Sequence, residues 1–405
     1  MAMKTKLILA MSLSLALVSC NDSDDSGKNG VADKIELQPS QELVITSQNS
    51  KAIDMLGYFS ARRNDNFMLS PMSLNFALGL AANGASGATL NQICAATGAD
   101  NLQSLNDLSA KLIKDMPRLD RKVKMEIANS IWLNDGFEAL PAYVNAVEEN
   151  YDADSRTLDL SSTSAMNAIN NWCSKHTDKM IPQLLQEPLD PRMEMMIINA
   201  LCFKGEWAVK FDKKNTKEDL FTNADGSQSR VMMMNGTIGN KVKVAEKYSM
   251  FRMDYGAGAY SMTVILPNEG ENLSDVISSF SASDFVAWQN SNNRGEITVS
   301  FPRFEFDTNE ILNDYLQSQG VSEMFTSGAD FSGLSASPVK MNKVKQVTRI
   351  EVDEDGTKAA AVTSTEFDSA MPMESYEMVV NRPFVFIITE QSTGAVIFLG
   401  QVKQL

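Results

Sequence analysis

Near the C-terminus, residues 354–365 read Glu-Asp-Gly-Thr-Lys-Ala-Ala-Ala-Val-Thr-Ser-Thr, a run of small side chains with a two-residue rhythm. From Thr357 the odd positions give Thr357, Ala359, Ala361, Thr363, Thr365, Phe367 and Ser369, none of them charged. The even positions Lys358, Ala360, Val362, Ser364, Glu366, Asp368 and Ala370 hold every charge of the segment. One uncharged face at period two is the pattern of a β-strand half-buried in a sheet. Yet the side chains on that face are as small and polar as those of an exposed connection. The stretch fits two placements, central strand and surface loop, so the chain that carries it is expected to change state. Residues 356–376 are also long for a plain connection, a length that marks functional segments. The Asp353-Glu354-Asp355-Gly356 cluster does not open an EF-hand, because the closing Glu of that loop would fall on Val362.

With 405 residues and 43% hydrophobic content, the chain can bury a large core. Acidic residues outnumber basic ones by 51 to 36, giving a net charge of −15. That balance opposes nucleic-acid binding, which needs a basic footprint. No repeat or linker interrupts residues 37–405, which read as one domain. At the N-terminus Lys4 and Lys6 precede an apolar run over residues 7–18, too short to span a bilayer. The run ends in Leu17-Val18-Ser19-Cys20, which resembles the lipobox of bacterial lipoproteins. That resemblance implies removal of residues 1–19 as a signal peptide and attachment to a membrane through lipid on Cys20. The acidic Asn21-Asp22-Ser23-Asp24-Asp25 is similar to the surface-export signals of Bacteroidetes lipoproteins. An outer-membrane lipoprotein, facing the surface or the periplasm, is the expectation. Residues 20–36 read as a flexible acidic tether. Cys94, Cys173 and Cys202 are odd in number and sit in apolar contexts, which predicts buried free thiols.

Helical spacing over residues 37–62 predicts a first helix, and Ser70-Pro71 predicts the cap and first turn of a second that ends near Asn83-Gly84. A helix is predicted over residues 164–180. Residues 122–133 alternate as a strand, and residues 195–203 form a continuous apolar run expected of a strand buried on both faces. Further strands follow toward the C-terminus. Helices early and strands late indicate an α+β fold with several sheets.

Enzyme chemistry has little to work with. The only histidine, His176, lies in the polar patch Ser174-Lys175-His176-Thr177, where a solvated or capping role is expected. A Ser–His–Asp or Cys–His site needs a base oriented by a third group, and this one residue would have to serve. The sequence contains neither a phosphate-binding Gly-Lys-Ser/Thr loop nor Cys/His metal spacing. No metal, cofactor or catalytic residue is therefore expected, and a binding or inhibitory role is favoured.

Six ordered motifs resemble the serpin family. They are Asn66-Phe67-Met68-Leu69-Ser70-Pro71-Met72-Ser73, then Ala82-Asn83-Gly84-Ala85-Ser86-Gly87-Ala88-Thr89, and Asn199-Ala200-Leu201-Cys202-Phe203-Lys204-Gly205-Glu206-Trp207. Phe301-Pro302-Arg303-Phe304, Ala329-Asp330-Phe331-Ser332-Gly333 and Asn381-Arg382-Pro383-Phe384 complete the set. The resemblance covers roughly residues 38–405 and implies one α+β domain of three β-sheets, about nine helices and an exposed reactive-centre loop at about 354–378. It also implies suicide inhibition of a serine protease: the protease cuts the loop, remains bound as an acyl-enzyme, and the cut loop inserts into the central sheet. The implied hinge is Glu354, Asp355, Gly356, Thr357, Lys358, Ala359, Ala360, Ala361, Val362 and Thr363. Ser70, Ser73, Asn199, Trp207 and Gln346 take the shutter and breach positions, Gln346 standing where the family often carries histidine.

Counting from the hinge puts the reactive bond at Ala370-Met371, with Met373-Glu374 as the alternative because Pro372 disfavours the bond before it. The small Ala370 implies an elastase-like serine protease as partner, met by a monomer. Lys358 replaces the Glu common in inhibitory members. This leaves two alternatives: a non-inhibitory serpin acting as a binding or structural surface protein, and a cross-class inhibitor of papain-like cysteine proteases.

Overall fold

The computed structural model describes residues 32–357 and 374–405. The calls on Cys20, on residues 358–363, and on Ala370, Met371 and Met373 lie outside the described residues. Ile35 is buried and its N–H donates to Ser392 Oγ at 2.9 Å. The packed domain thus begins just ahead of the boundary expected at residue 37.

The chain opens with α1 (Pro39–Ser60), β1 (Phe67–Leu69), α2 (Pro71–Ala82), α3 (Gly87–Thr97) and α4 (Leu102–Asp115). Next come β2 (Val123–Asn134), α5 (Pro141–Tyr151), β3 (Ala153–Leu158), α6 (Thr163–His176) and β4 (Met195–Glu206). The middle of the chain holds β5 (Lys217–Thr222), β6 (Gln228–Val244), β7 (Tyr248–Tyr255) and β8 (Tyr260–Pro267). They are followed by α7 (Leu273–Ser279), α8 (Ala282–Asn290), β9 (Arg294–Pro302), β10 (Phe304–Ile311) and α9 (Asn313–Ser318). Then come β11 (Lys345–Val352), β12 (Gly356–Thr357), β13 (Ser375–Val379), β14 (Phe384–Glu390) and β15 (Val396–Val402). Nine α-helices are thus found among the described residues.

Three sheets carry the fold. The long β6 belongs to two of them: one end pairs with β5 and β9, which in turn carries β13, and the other end pairs with β7. From β7 the order runs β8, β14, β15, β1. Every residue of β14 and β15 is buried, including the polar Thr389, Glu390 and Gln401, and the rest of both strands is almost wholly apolar. The third layer is split into β10–β11 and β12–β4–β2–β3. Phe203 of β4 packs edge-on against Tyr255 and Tyr260, and Phe304 of β10 against Phe384, so the main core lies between this layer and the β14–β15 sheet.

Two local expectations change. β4 is not buried on both faces: Met195, Met196 and Ile197 are half-exposed. Its even-numbered side chains Ile198 and Ala200 join Trp132 and Trp172 under α6, its odd-numbered ones face the main core, and α6 is too short to cover the whole strand. The helix predicted over 164–180 stops at His176, because Asp178 and Lys179 adopt left-handed φ of 49° and 64°. His176 is not simply solvated. Its Nδ1 lies 3.1 Å from Glu126 Oε1 and its ring packs 4.6 Å from Trp172.

Candidate functional site: a seam in the central layer

Between β4 and β11 the third layer carries no ladder among the described residues. β11 pairs with β10 alone, and beyond its β2 side β4 meets only β12, through Gly205 and Glu206. A cleft runs through the layer at this line. Leu201 and Phe203 form one bank, Thr348 and Ile350 the other. Met68, Ile388 and Phe398 lie on the core side, and Met180 and Ile181 cover the opposite face. Two unpaired strand edges facing each other are a template for a further strand.

The upper end of the seam is closed by the turn Asp353–Gly356. Gly356 donates to Asp353 O at 3.2 Å and Asp353 to Gly356 O at 3.0 Å, while Trp207 N–H donates to Asp355 O at 3.0 Å. At Gly356 φ is 138°, and a Cβ there would sit 2.1 Å from Gly205 O, so only glycine fits. Trp207 stacks on Tyr255 at 4.4 Å and donates from Nε1 to Asp353 O. Tyr255 OH in turn lies 3.0 Å from Thr357 Oγ1. Glu354 is 1% exposed and is held by Arg303, through Nε at 2.9 Å, and by Thr216 Oγ1. Burial pushes its carboxyl pKa up, but the bonds from Arg303 and Thr216 outweigh that and leave it below the ordinary range. Its neighbour Asp353 goes the other way, raised chiefly by burial. Asp355 pairs with Lys213 at 2.7 Å.

Midway down, Gln346 clasps the start of α2. Its Oε1 accepts from Ser70 N–H at 2.8 Å and its Nε2 donates to Ser70 O at 2.9 Å. Ser70 Oγ donates to Ile397 O at 2.7 Å and accepts from Ser73 N–H at 3.0 Å as the helix cap. An amide performs both roles because it carries a donor and an acceptor. Gln346 and Ser73 thus both bond to Ser70. Asn199 does not join them. Across the seam, its Nδ2 donates to Asn129 Oδ1 at 2.8 Å, and Asn129 Nδ2 donates to Tyr151 O at 2.7 Å.

A strap formed by residues 177–185 crosses the outer face. Asp178 binds Lys204 on β4 and lies 3.4 Å from Lys124 on β2. Leu184 O accepts from Lys345 Nζ of β11 at 3.4 Å. Asn170 of α6 holds the far end, its Oδ1 accepting from Leu184 and Leu185 N–H. Cys94, Cys173 and Cys202 are free and buried. Desolvation pushes the Cys173 thiol up to about 12 and Cys202 up to about 11, so neither is a nucleophile.

The segment between Thr357 and Glu374 is anchored at both ends. Thr357 pairs with Gly205, and Glu374 O accepts from Glu296 N–H at 2.9 Å just before β13 joins β9 in parallel. Sequence reasoning assigned no role to Arg303, Tyr255, Thr216, Asn129 or Asp178. For Arg303 a signal was present, a cation inside the apolar Phe-Pro-Arg-Phe run. For the others only the tertiary pairing reveals the role.

Comparison with known proteins places this architecture. A sequence model of the family described as Serpin (serine protease inhibitor) matches residues 46–405. The chain is 29% identical over 375 residues to Iripin-3 from Ixodes ricinus, covering 89% of this chain and 94% of that protein. It is 31% identical over 351 residues to a serine protease inhibitor from Cyanea capillata, covering 83% and 92%. Among solved structures, the thermophilic serpin tengpin in its native state superposes with a TM-score of 0.81 at 30% identity, covering 92% of this chain and 96% of that one.

Proposed function

The chain belongs to the serpin family, and from that premise we propose that it is a suicide inhibitor of serine proteases, elastase-like in preference. One observation carries the reading. β12 has already begun a strand against β4, at the top of a seam whose two edges carry no ladder among the described residues. The small, uncharged odd-numbered side chains that follow Thr357 suit entry into a packed layer without displacing it.

Chain reach explains why cutting is needed. The 16 residues of 358–373 span at most about 55 Å fully extended. With both ends anchored, at most about half can descend the seam before the remainder must turn back. Below Gly205, β4 offers ten further residues, from Lys204 to Met195. Filling that length requires one end to be released. The target serine Oγ attacks the Ala370 carbonyl, the Ala370-Met371 bond breaks, and the new amine of Met371 leaves with β13. Ala370 stays esterified to the protease and is carried down the seam. A shallow primary pocket accepts Ala370. Cys20 would hold this chemistry at a bacterial outer membrane through its lipid.

A non-inhibitory, protein-binding role is the second reading. Continuing the β12–β4 register places Lys358 opposite Lys204, a like-charge pair that opposes entry. Incubation of protein lacking residues 1–20 with elastase tests both. A band that survives denaturing electrophoresis, with a released peptide beginning at Met371, is expected. Cleaved protein beside fully active elastase overturns the inhibitory reading for this protease class, and the same assay with papain examines the cross-class form.

A further inference from the structure

On the outer side of the cleft the strap places a thioether, Met180. It is half-buried, and its Sδ accepts from Cys202 Sγ of β4 at 3.7 Å. Cys202 is 1% exposed, and burial pushes its thiol up to about 11, so the sulfur that donates stays protonated. The backbone gives Met180 little freedom. Its N–H donates to Thr177 O at 2.8 Å, Lys179 N–H donates to Ser174 O at 2.7 Å, and Ile181 N–H donates to Thr177 Oγ1 at 3.0 Å. Thr177 is tied in turn to α6, its hydroxyl donating to Cys173 O at 2.8 Å. Around the thioether the cleft offers the side chains of Leu201, Phe203, Ile350 and Phe398, none of which donates a hydrogen bond.

Oxidants divide these sulfurs by chemistry. A cysteine reacts as its thiolate, and Cys94, Cys173 and Cys202 are buried thiols that desolvation keeps protonated. A thioether needs no deprotonation, so its lone pairs are available at any pH. We propose that Met180 is a modification site for oxidants of the hydrogen peroxide class, and that its conversion to the sulfoxide releases the strap 177–185 from the seam. A lone pair on Sδ attacks one peroxide oxygen, the O–O bond breaks and an S–O bond forms. Proton transfer to the departing oxygen leaves one water, so sulfur is oxidised by two electrons and peroxide is reduced by two. The product carries a polar oxygen where the walls are apolar and the sulfur's partner is the weak Cys202 S–H donor. A buried acceptor without a good donor is costly, and with the turn fixed at Thr177 the oxygen reaches water only if residues 178–181 lift. The contact of Asp178 with Lys204 on β4 lies in the same turn and is lost with it. The proposal goes beyond the inhibitory reading and does not depend on it, because it concerns the intact protein.

The test treats the folded protein with hydrogen peroxide, maps the added oxygen by peptide mass spectrometry, and follows amide hydrogen exchange over residues 177–185. Met232, 41% exposed on β6, reports that the dose was sufficient. One oxygen on Met180 is expected, and exchange across the strap should rise by about 5–30-fold, the size of one buried acceptor left without a donor. Methionine sulfoxide reductase should return the exchange to its starting rate. Met180→Leu conserves side-chain volume and should keep the slow exchange of the parent before and after peroxide, which separates this site from the other methionines. Oxidation of Met232 with Met180 untouched overturns the proposal, as does oxygen found on Cys202 in place of Met180. So does a Met180 sulfoxide that leaves strap exchange unchanged, or a Met180→Leu protein that responds to peroxide as the parent does.

Discussion

Replacing Gly356 by alanine probes the turn that closes the seam. Two costs are separable. The backbone at φ 138° lies where L-residues are strained, at about 1–3 kcal/mol. The added methyl would also meet Gly205 O at 2.1 Å and Trp207 N at 2.8 Å. Both are main-chain atoms of the neighbouring strand end and cannot rotate away. The turn must therefore lift off β4 and lose bonds such as Trp207 N–H to Asp355 O, at about 0.5–1.5 kcal/mol each. Together the change costs about 3–5 kcal/mol, a large part of the stability of an ordinary domain. Gly258→Ala supplies the control. Its φ of 96° is also strained, but nothing lies within 4 Å of the new Cβ, so a cost of about 1–2 kcal/mol is expected. Urea unfolding of intact protein, with unchanged slope, measures both. If Gly356→Ala unfolds within about 1 kcal/mol of the parent, or costs no more than Gly258→Ala, the close packing of this turn on β4 is refuted.

Two further outcomes follow from the same geometry. Lys358→Glu exchanges a like-charge pair with Lys204 for an attractive one, so the moles of inhibitor consumed per mole of elastase trapped should fall by about 3-fold; a rise contradicts the register. Acid should weaken the turn through Glu354. Its depressed folded pKa means its contribution is full above the ordinary glutamate value of 4.5 and is lost as pH falls through the lower folded value. The raised pKa of Asp353 works in the opposite sense, costing stability above the ordinary aspartate value of 3.8 and relieved by protonation. Urea midpoints from about pH 6 to about pH 3 should therefore fall less for Glu354→Gln than for the parent; parallel curves would remove Glu354 from the account.

Much of the architecture was legible because it lay in local signals. Ser70-Pro71 announced a capped helix, and the alternation of residues 122–133 announced β2, whose observed span is Val123–Asn134. The apolar run of β4 misled because its two faces are covered by different partners, one only in part, and composition does not reveal coverage. The helix of residues 163–176 ended early because its continuation turns left-handed at Asp178, which no glycine advertised. Within the site, Ser70, Ser73 and Gln346 were found through motif positions; Gln346 bonds Ser70 at both amide atoms, and Ser73 N–H donates to Ser70 Oγ. Asn199 was assigned to the same group, but its bond to Asn129 depends on strand register, which pairs residues 70 positions apart.

The strap over the seam ties the β4 side of the layer to its β11 side. On the insertion reading proposed above, a strand admitted between β11 and β4 would set them two strand spacings, about 9.6 Å, apart. The contacts of Asp178 to Lys204 and Lys124 lie wholly on the β4 side and travel with it. The bond from Lys345 to Leu184 O joins the strap to the β11 side and cannot stretch so far. On the insertion reading, that surface contact would have to break before a strand could enter. If the chain traps proteases in this way, residue 345 would tune how long it waits and how fast it reacts, at a position set apart from residues 358–373.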